Sequence, residues 1–193
     1  MNAFGFGAGI ITKSALVTRD ADVLSDISGH SPATVNFSIT CADDALCAKV
    51  EPRVSLTGER FKAIEFLSKK GIVAGVLMDP VIPYITDSEE NVREMVKKAK
   101  HHGAFFIYIS TLVTMADVQR EHFLREAEKF SPGITSIYRE KYKTYYRCNS
   151  PRAKRLWNVF VETCETEGIR YEMRAVNHLI RSRYQAEQLT LGE

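Results

Sequence analysis

IVAGVLMDPVIPYITDSEENVREMV, residues 72–96, decides the fold. Residues 73–77 form an apolar run of strand length. Asp79-Pro80-Val81-Ile82-Pro83 ends it, because proline donates no backbone hydrogen bond and fixes φ. Asp87 is placed to cap a helix, and Glu90 three residues later closes a capping box. Val92, Met95, Val96 and Ala99 then recur at i, i+3, i+4 and i+7, which puts them on one helical face. Gly103, after Lys97, Lys98 and Lys100, stops the helix. Strand, stiff polar loop and helix make one β/α unit. In parallel α/β folds ligands bind outside the carboxyl ends of the strands, where this loop lies.

The same alternation runs outward in both directions. Residues 9–13 (GIITK) and 33–40 (ATVNFSIT) read as strands, with a helix from Asp20 to Ile27 between them. A short helical piece spans 42–50, and a helix over 57–70 buries Phe61, Ile64 and Leu67 and closes at Gly71. Residues 104–109 (AFFIYI) form a fourth strand, followed by a helix over 115–130 with Phe123, Ala127 and Phe130 in register. Residues 131–149 are irregular, basic and rich in tyrosine. Ser150-Pro151 starts a helix whose stripe is Ala153, Leu156, Trp157, Phe160, Val161 and Cys164, ended by Gly168. A last short strand over 169–172 is followed by a polar tail to Glu193 with one more helical segment around 176–186. Four strand–helix alternations predict a parallel sheet with helices outside, built from right-handed crossovers.

At 193 residues the chain supports one sizeable core. A formal net charge of +2 is near neutral, so any nucleic-acid argument rests on local clustering. Four irregularly spaced cysteines read as free thiols, and no apolar run reaches the length of a membrane span. The amino-terminal stretch lacks the basic and apolar regions of a signal peptide. A cytoplasmic protein with no membrane partner is the expectation.

Strand alternation places Asn36, Ser38 and Thr40 on one face and Val35, Phe37 and Ile39 on the other. Parallel strands covered on both faces are apolar throughout, so a polar face points to a ligand-receiving lumen or to a wet edge strand. Lys13, at the end of the first strand, suits a carboxylate or phosphate, or is an exposed strand-end lysine. Asp79 offers an acceptor at the matching level, or is a loop residue satisfied by backbone amides. Glu51-Pro52-Arg53 forms a charged turn over the rim or simply ends a helix. Arg139, Lys141, Lys143, Arg147, Arg152, Lys154 and Arg155 fall in one window, interleaved with Tyr138, Tyr142, Tyr145 and Tyr146. Cations for phosphates and aromatic faces for bases are how unpaired nucleic acid is gripped; the alternative is a solvated outer face. The histidines and cysteines show no metal-ligand spacing.

GIITKSALVTRDADVL (residues 9–24), VNFSIT (35–40), KVEPR (49–53) and GIVAGVLMDPVIPYITDSEE (71–90) together resemble the radical S-adenosylmethionine superfamily. The similarity is to its branch of spore-photoproduct-lyase-like proteins, the DNA repair photolyases, and it covers about half the chain in the right order. The resemblance implies an α/β fold with a partial, TIM-like parallel β/α barrel. It implies a [4Fe–4S] cluster that reductively cleaves S-adenosylmethionine to a 5′-deoxyadenosyl radical, which abstracts hydrogen from substrate. By position it implies Lys13 beside the methionine carboxylate, Asn36 and Ser38 on methionine or ribose, and Asp79 framing the adenosine. Asp79 stands where that family commonly has a small residue.

The family's cluster motif, C-x3-C-x2-C, is absent from this sequence. The expectation is therefore a barrel portion lacking its first two β/α units, with no cluster in this chain and no activity alone. Residues 1–135 would be the barrel portion and 136–193 a basic, tyrosine-rich helical extension packed on it. An unpaired barrel edge at residues 9–13 would favour self-association or pairing with a missing half. The alternative function is a non-catalytic module that binds nucleic acid through Arg139, Lys143, Tyr145, Arg147, Arg152, Lys154 and Arg155.

Overall fold

The computed structural model describes residues 4–184. Its centre is a sheet of four parallel strands in the order β1 (Ala8–Thr12), β2 (Ala33–Ser38), β3 (Val73–Met78), β4 (Phe106–Ile109). A 3-10 turn (Ala15–Asp20) and α1 (Ala21–Ser28) connect β1 to β2, while α2 (Asp44–Val50) and α3 (Thr57–Lys69) connect β2 to β3. The crossover from β3 to β4 is α4 (Glu89–His101). Beyond β4, Arg170 forms a single parallel bridge to Phe106, with Ile107 N donating to Arg170 O at 2.9 Å. The last strand expected over 169–172 is thus one bridge wide.

Alternation divides the sheet into two unlike faces. Val35, Phe37, Val76, Met78 and Ile107 are wholly buried on the outer face. They pack on Phe61, Ile64 and Leu67 of α3, on Val92, Met95, Val96 and Ala99 of α4, and on Leu156 and Phe160 of α7 (Ala153–Glu167). Each such side chain contributes about 1.5–3 kcal/mol by leaving water, so this layer dominates the fold's stability. On the inner face the register aligns Ile11, Asn36 and Gly75 across β1–β3, with Ser38 beside Leu77. Gly75 is required there, because a Cβ would lie 2.4 Å from the Phe106 ring. α8 (Met173–Ser182) crosses the amino half of this face, packing Val176 and Ile180 on Val73 and Phe106.

Between β4 and α7 the chain builds a second core. β5 (Leu112–Thr114) pairs antiparallel with β6 (Arg147–Asn149), and α5 (Asp117–Glu128) and α6 (Ile134–Tyr142) pack beside them. Met115, Leu124, Ala127, Ile134, Tyr138, Tyr142 and Cys148 fill it, so the cluster draws on both sides of residue 135. The Glu128 carboxylate accepts from Gly133 N at 2.6 Å and Thr135 N at 2.9 Å, which supplies the amino end of α6 with an anion.

Several local expectations change. Residues 131–149 are ordered into α6 and β6, because Ile134, Tyr138 and Tyr142 recur at i, i+4 and i+8 and face the second core. Ser88, not Asp87, caps α4, its hydroxyl accepting from Asn91 N at 3.1 Å. Asp87 is instead buried, accepting from Tyr84 N at 2.7 Å and from the Ser150 hydroxyl at 2.6 Å. Ser150 accordingly donates to Asp87, and α7 starts at Ala153. In α7 the buried face is Leu156, Val159, Phe160, Thr163 and Cys164, which turns Trp157 outward. The described part of the last helix ends at Ser182, and residues 185–186 of the expected segment lie outside the described residues.

Candidate functional site

The carboxyl ends of β1 and β2 are joined by a charged network. Glu51, just past α2, accepts from Lys13 Nζ at 2.5 Å and from Thr40 Oγ1 at 2.9 Å through Oε1. Its Oε2 accepts from Arg60 at 2.7 Å. Arg60 is 0% exposed and also donates to Ser38 O at 2.6 Å and Ser55 O at 2.8 Å. Burial alone would push the Glu51 carboxyl up. The hydrogen bonds and charges of Lys13 and Arg60 outweigh that and hold it below the ordinary carboxylate value. One buried guanidinium therefore ties α3 to the end of β2, and one carboxylate orients Lys13, whose side chain stays 42% exposed.

The expected cofactor residues divide around this network. Ser38, on the inner face, donates its hydroxyl to Asp79 O at 3.0 Å, so the ends of β2 and β3 are joined directly. Asp79 itself is exposed at that rim. Asn36, two residues below Ser38 on the same face, has its Oδ1 buried with no hydrogen-bond partner. Lys13, Ser38 and Asp79 thus share the strand-end rim, with Asn36 beneath it. Arg60 is the functional residue that local sequence pattern signals least. Its signal was a charge in register with Ile64 and Leu67 on the apolar face of α3.

The basic segment is less available than its composition implies. Tyr138 and Tyr142 are buried, and their hydroxyls donate to Pro83 O at 3.0 Å and Asn149 O at 2.6 Å, so neither offers a ring face to a base. Arg139 pairs with Glu121 at 3.3 Å. Arg155 makes a two-pronged contact to Glu89 of α4 at 2.8 and 3.0 Å. Lys143, Arg147, Arg152 and Lys154 remain exposed, and the Tyr145 and Tyr146 residues are 65% and 59% exposed. Beneath that loop Arg120 is buried and donates to Tyr145 O.

The cysteines do not fit an iron–sulfur cluster. All four are buried. Cys47 receives Arg60 at 3.8 Å, Cys148 lies in the second core, and Cys164 lies in α7. The Cys41 thiol is pushed up to about 12, first by burial and then by Cys47 and Glu51, the opposite of an activated thiolate. Among the described residues no group of three or more His, Cys, Asp or Glu is arranged to hold a metal ion, and none of the helices is long and apolar enough to cross a membrane.

These features define a partial parallel β/α barrel with a polar inner face and a charged rim at the strand ends. No protein-family model matches the chain. Uncharacterized proteins of Mycobacterium tuberculosis and Mycobacterium bovis are 26% identical over 141 residues, which is 73% of this chain and 41% of theirs. Among solved structures, a spore photoproduct lyase variant with bound AdoMet and dinucleoside spore photoproduct superposes with a TM-score of 0.61 at 16% identity. That match covers 84% of this chain and 49% of the lyase. A second variant of the lyase gives a TM-score of 0.58 at 16% identity over the same shares. The chain therefore spans less than half the length of these relatives, and the likeness to the lyase establishes the barrel fold.

Proposed function

We propose that this chain supplies an S-adenosylmethionine-binding wall of a radical S-adenosylmethionine barrel enzyme of the DNA-repair kind. The observation that carries the reading is Asn36 Oδ1, a buried acceptor without a partner on the inner face beneath the strand ends. A buried acceptor left unmade costs about 1–3 kcal/mol, and an ammonium or ribose hydroxyl of the cofactor would supply the missing donor. Lys13 spends one of its three donors on Glu51 and keeps an exposed side for a ligand carboxylate. The Ser38 hydroxyl, while donating to Asp79 O, keeps its lone pairs, and Asp79 adds an acceptor at the rim. When bound, the cofactor would supply a hydrogen-abstracting radical. The cluster that such chemistry uses does not fit this chain's thiols, so the chain's own part is binding and orientation.

Equilibrium dialysis with S-adenosylmethionine tests this. One saturable site is expected, weakened about tenfold by Asn36→Leu and by Lys13→Ala and unchanged by Arg152→Ala. Absence of binding at millimolar ligand, or binding indifferent to Asn36 and Lys13, overturns the reading.

A second reading rests on the loop at Tyr145 and Tyr146, whose exposed rings sit between Lys143 and Arg147. We propose that it grips unpaired nucleic acid, with Arg152 and Lys154 as further phosphate contacts. Arg139 and Arg155, held by carboxylates, contribute less. Anisotropy with a single-stranded oligonucleotide should show salt-dependent binding that Arg152→Ala and Lys154→Ala weaken; no binding at low salt removes this reading.

A further inference from the structure

The chain's one tryptophan points to a site that neither reading uses. Trp157 is 50% exposed at the end of a cleft of about 440 Å³ between α7, the end of β4 and the start of α8. Its walls include Trp157, Phe160, Tyr108, Tyr171 and Met173, and among the described residues Glu172 is the only charged side chain lining it. The volume suits a small-molecule pocket. Trp157 tilts against Phe160 at 5.7 Å and Phe160 meets Tyr171 edge-on at 5.9 Å, while Trp157 and Tyr108 are 50% and 37% exposed and so open to a ligand. Glu172 makes no ion pair with any of the described residues. The Tyr171 phenol is pushed up first by burial, then by its hydrogen bond to Glu165 at 3.2 Å and by the charges of Glu165 and Glu172.

An aromatic-walled cleft whose one lining charge among the described residues is a carboxylate with no ion-pair partner there attracts cations, through the ring quadrupoles and through the carboxylate, and repels anions. We propose that this cleft binds a small organic cation of the alkylammonium class. Trp157 holds the cation over its indole face, with Tyr108 and Tyr171 as flanking rings and Glu172 as the counter-charge. Phosphate-bearing ligands are excluded by the same groups.

Because Trp157 is the only tryptophan, its emission reads this cleft alone. Titration of the full chain with choline, at ionic strength held constant with sodium chloride, should change that emission saturably, with a dissociation constant on the order of 1 mM. The neutral isostere 3,3-dimethyl-1-butanol should bind at least about tenfold more weakly. Glu172→Gln should weaken choline about fivefold while leaving the thermal melt unchanged, since this side chain is solvent-exposed. Equal binding of the neutral isostere, displacement by adenosine monophosphate, no saturable change, or indifference to Glu172→Gln each overturns the proposal.

Discussion

Glu51→Gln keeps the size of the side chain and removes the anion facing a wholly buried guanidinium. In the wild type Arg60 is 0% exposed and meets Glu51 at 2.7 Å, so the variant leaves a buried charge with only neutral partners, two backbone carbonyls, the Cys47 sulfur and the new amide. Breaking such a pair by removing one partner costs about 3–5 kcal/mol, mostly from the uncompensated charge that remains. Lys13 loses its partner too, but its side chain is 42% exposed and solvent screens it, so that part adds under about 1 kcal/mol. For a domain of this length, a loss of about 3 kcal/mol lowers the melting temperature by about 6–12 °C. Urea unfolding followed by circular dichroism measures it. The dependence on pH is a second check with a fixed sign. The Glu51 carboxyl is held below its ordinary value in the fold, so in acid the unfolded chain takes up its proton first. The stabilisation is fully present above the ordinary carboxyl value of about 4.3 and is lost as pH falls through the folded value. The gap between wild type and Glu51→Gln should therefore be widest near neutral pH and shrink in acid. A loss below about 1 kcal/mol at pH 7, or a gap that widens in acid, would refute the claim that this network anchors the rim.

Four further outcomes follow from the same geometry. Gly75→Ala should cost about 1–3 kcal/mol in urea, because the added methyl meets the Phe106 ring at 2.4 Å. Ser150→Ala removes a donor from buried Asp87 and should cost about 1–3 kcal/mol in the same assay, whereas an ordinary surface serine would cost almost nothing. Among the described residues β1 pairs on one side only, carries exposed Ile11 and is flanked by exposed Phe4, Phe6 and Leu16, so sedimentation should show concentration-dependent association that Ile11→Lys reduces. Tyr145→Ala with Tyr146→Ala should weaken oligonucleotide binding without altering the melt, while Tyr138→Ala should lower the melt by leaving a cavity in the second core.

The β3–α4 unit was legible because its apolar period changes from two to 3.6 across a proline-marked loop, and all four stripe residues of α4 are buried as the spacing requires. The two-faced β2 was legible for the same reason. What escaped reading was decided by partners distant in sequence. Asp87 and Ser88 are both able to cap a helix, and Ser150, far along the chain, claims the first. Tyr138 and Tyr142 looked like a nucleic-acid surface because Arg139, Glu140 and Lys141 surround them in sequence. Helical geometry sends the tyrosines inward and those charges outward. The stripe read for α7 was one column too wide. That helix packs on α4 and buries Leu156, Val159, Phe160, Thr163 and Cys164, and Trp157 falls outside the buried face. Glu51 was noticed as a turn and Arg60 not at all, since neither signals on its own that it will pair with the other.

The central claim is that the strand-end rim of this half-barrel binds S-adenosylmethionine. Amide chemical-shift mapping during titration with S-adenosylmethionine tests it most directly. The account predicts saturable shifts concentrated at Lys13, Asn36 to Thr40, Glu51 and Asp79, with residues 134–149 unmoved. Shifts confined to α6 and β6, or none at saturating ligand, would contradict it.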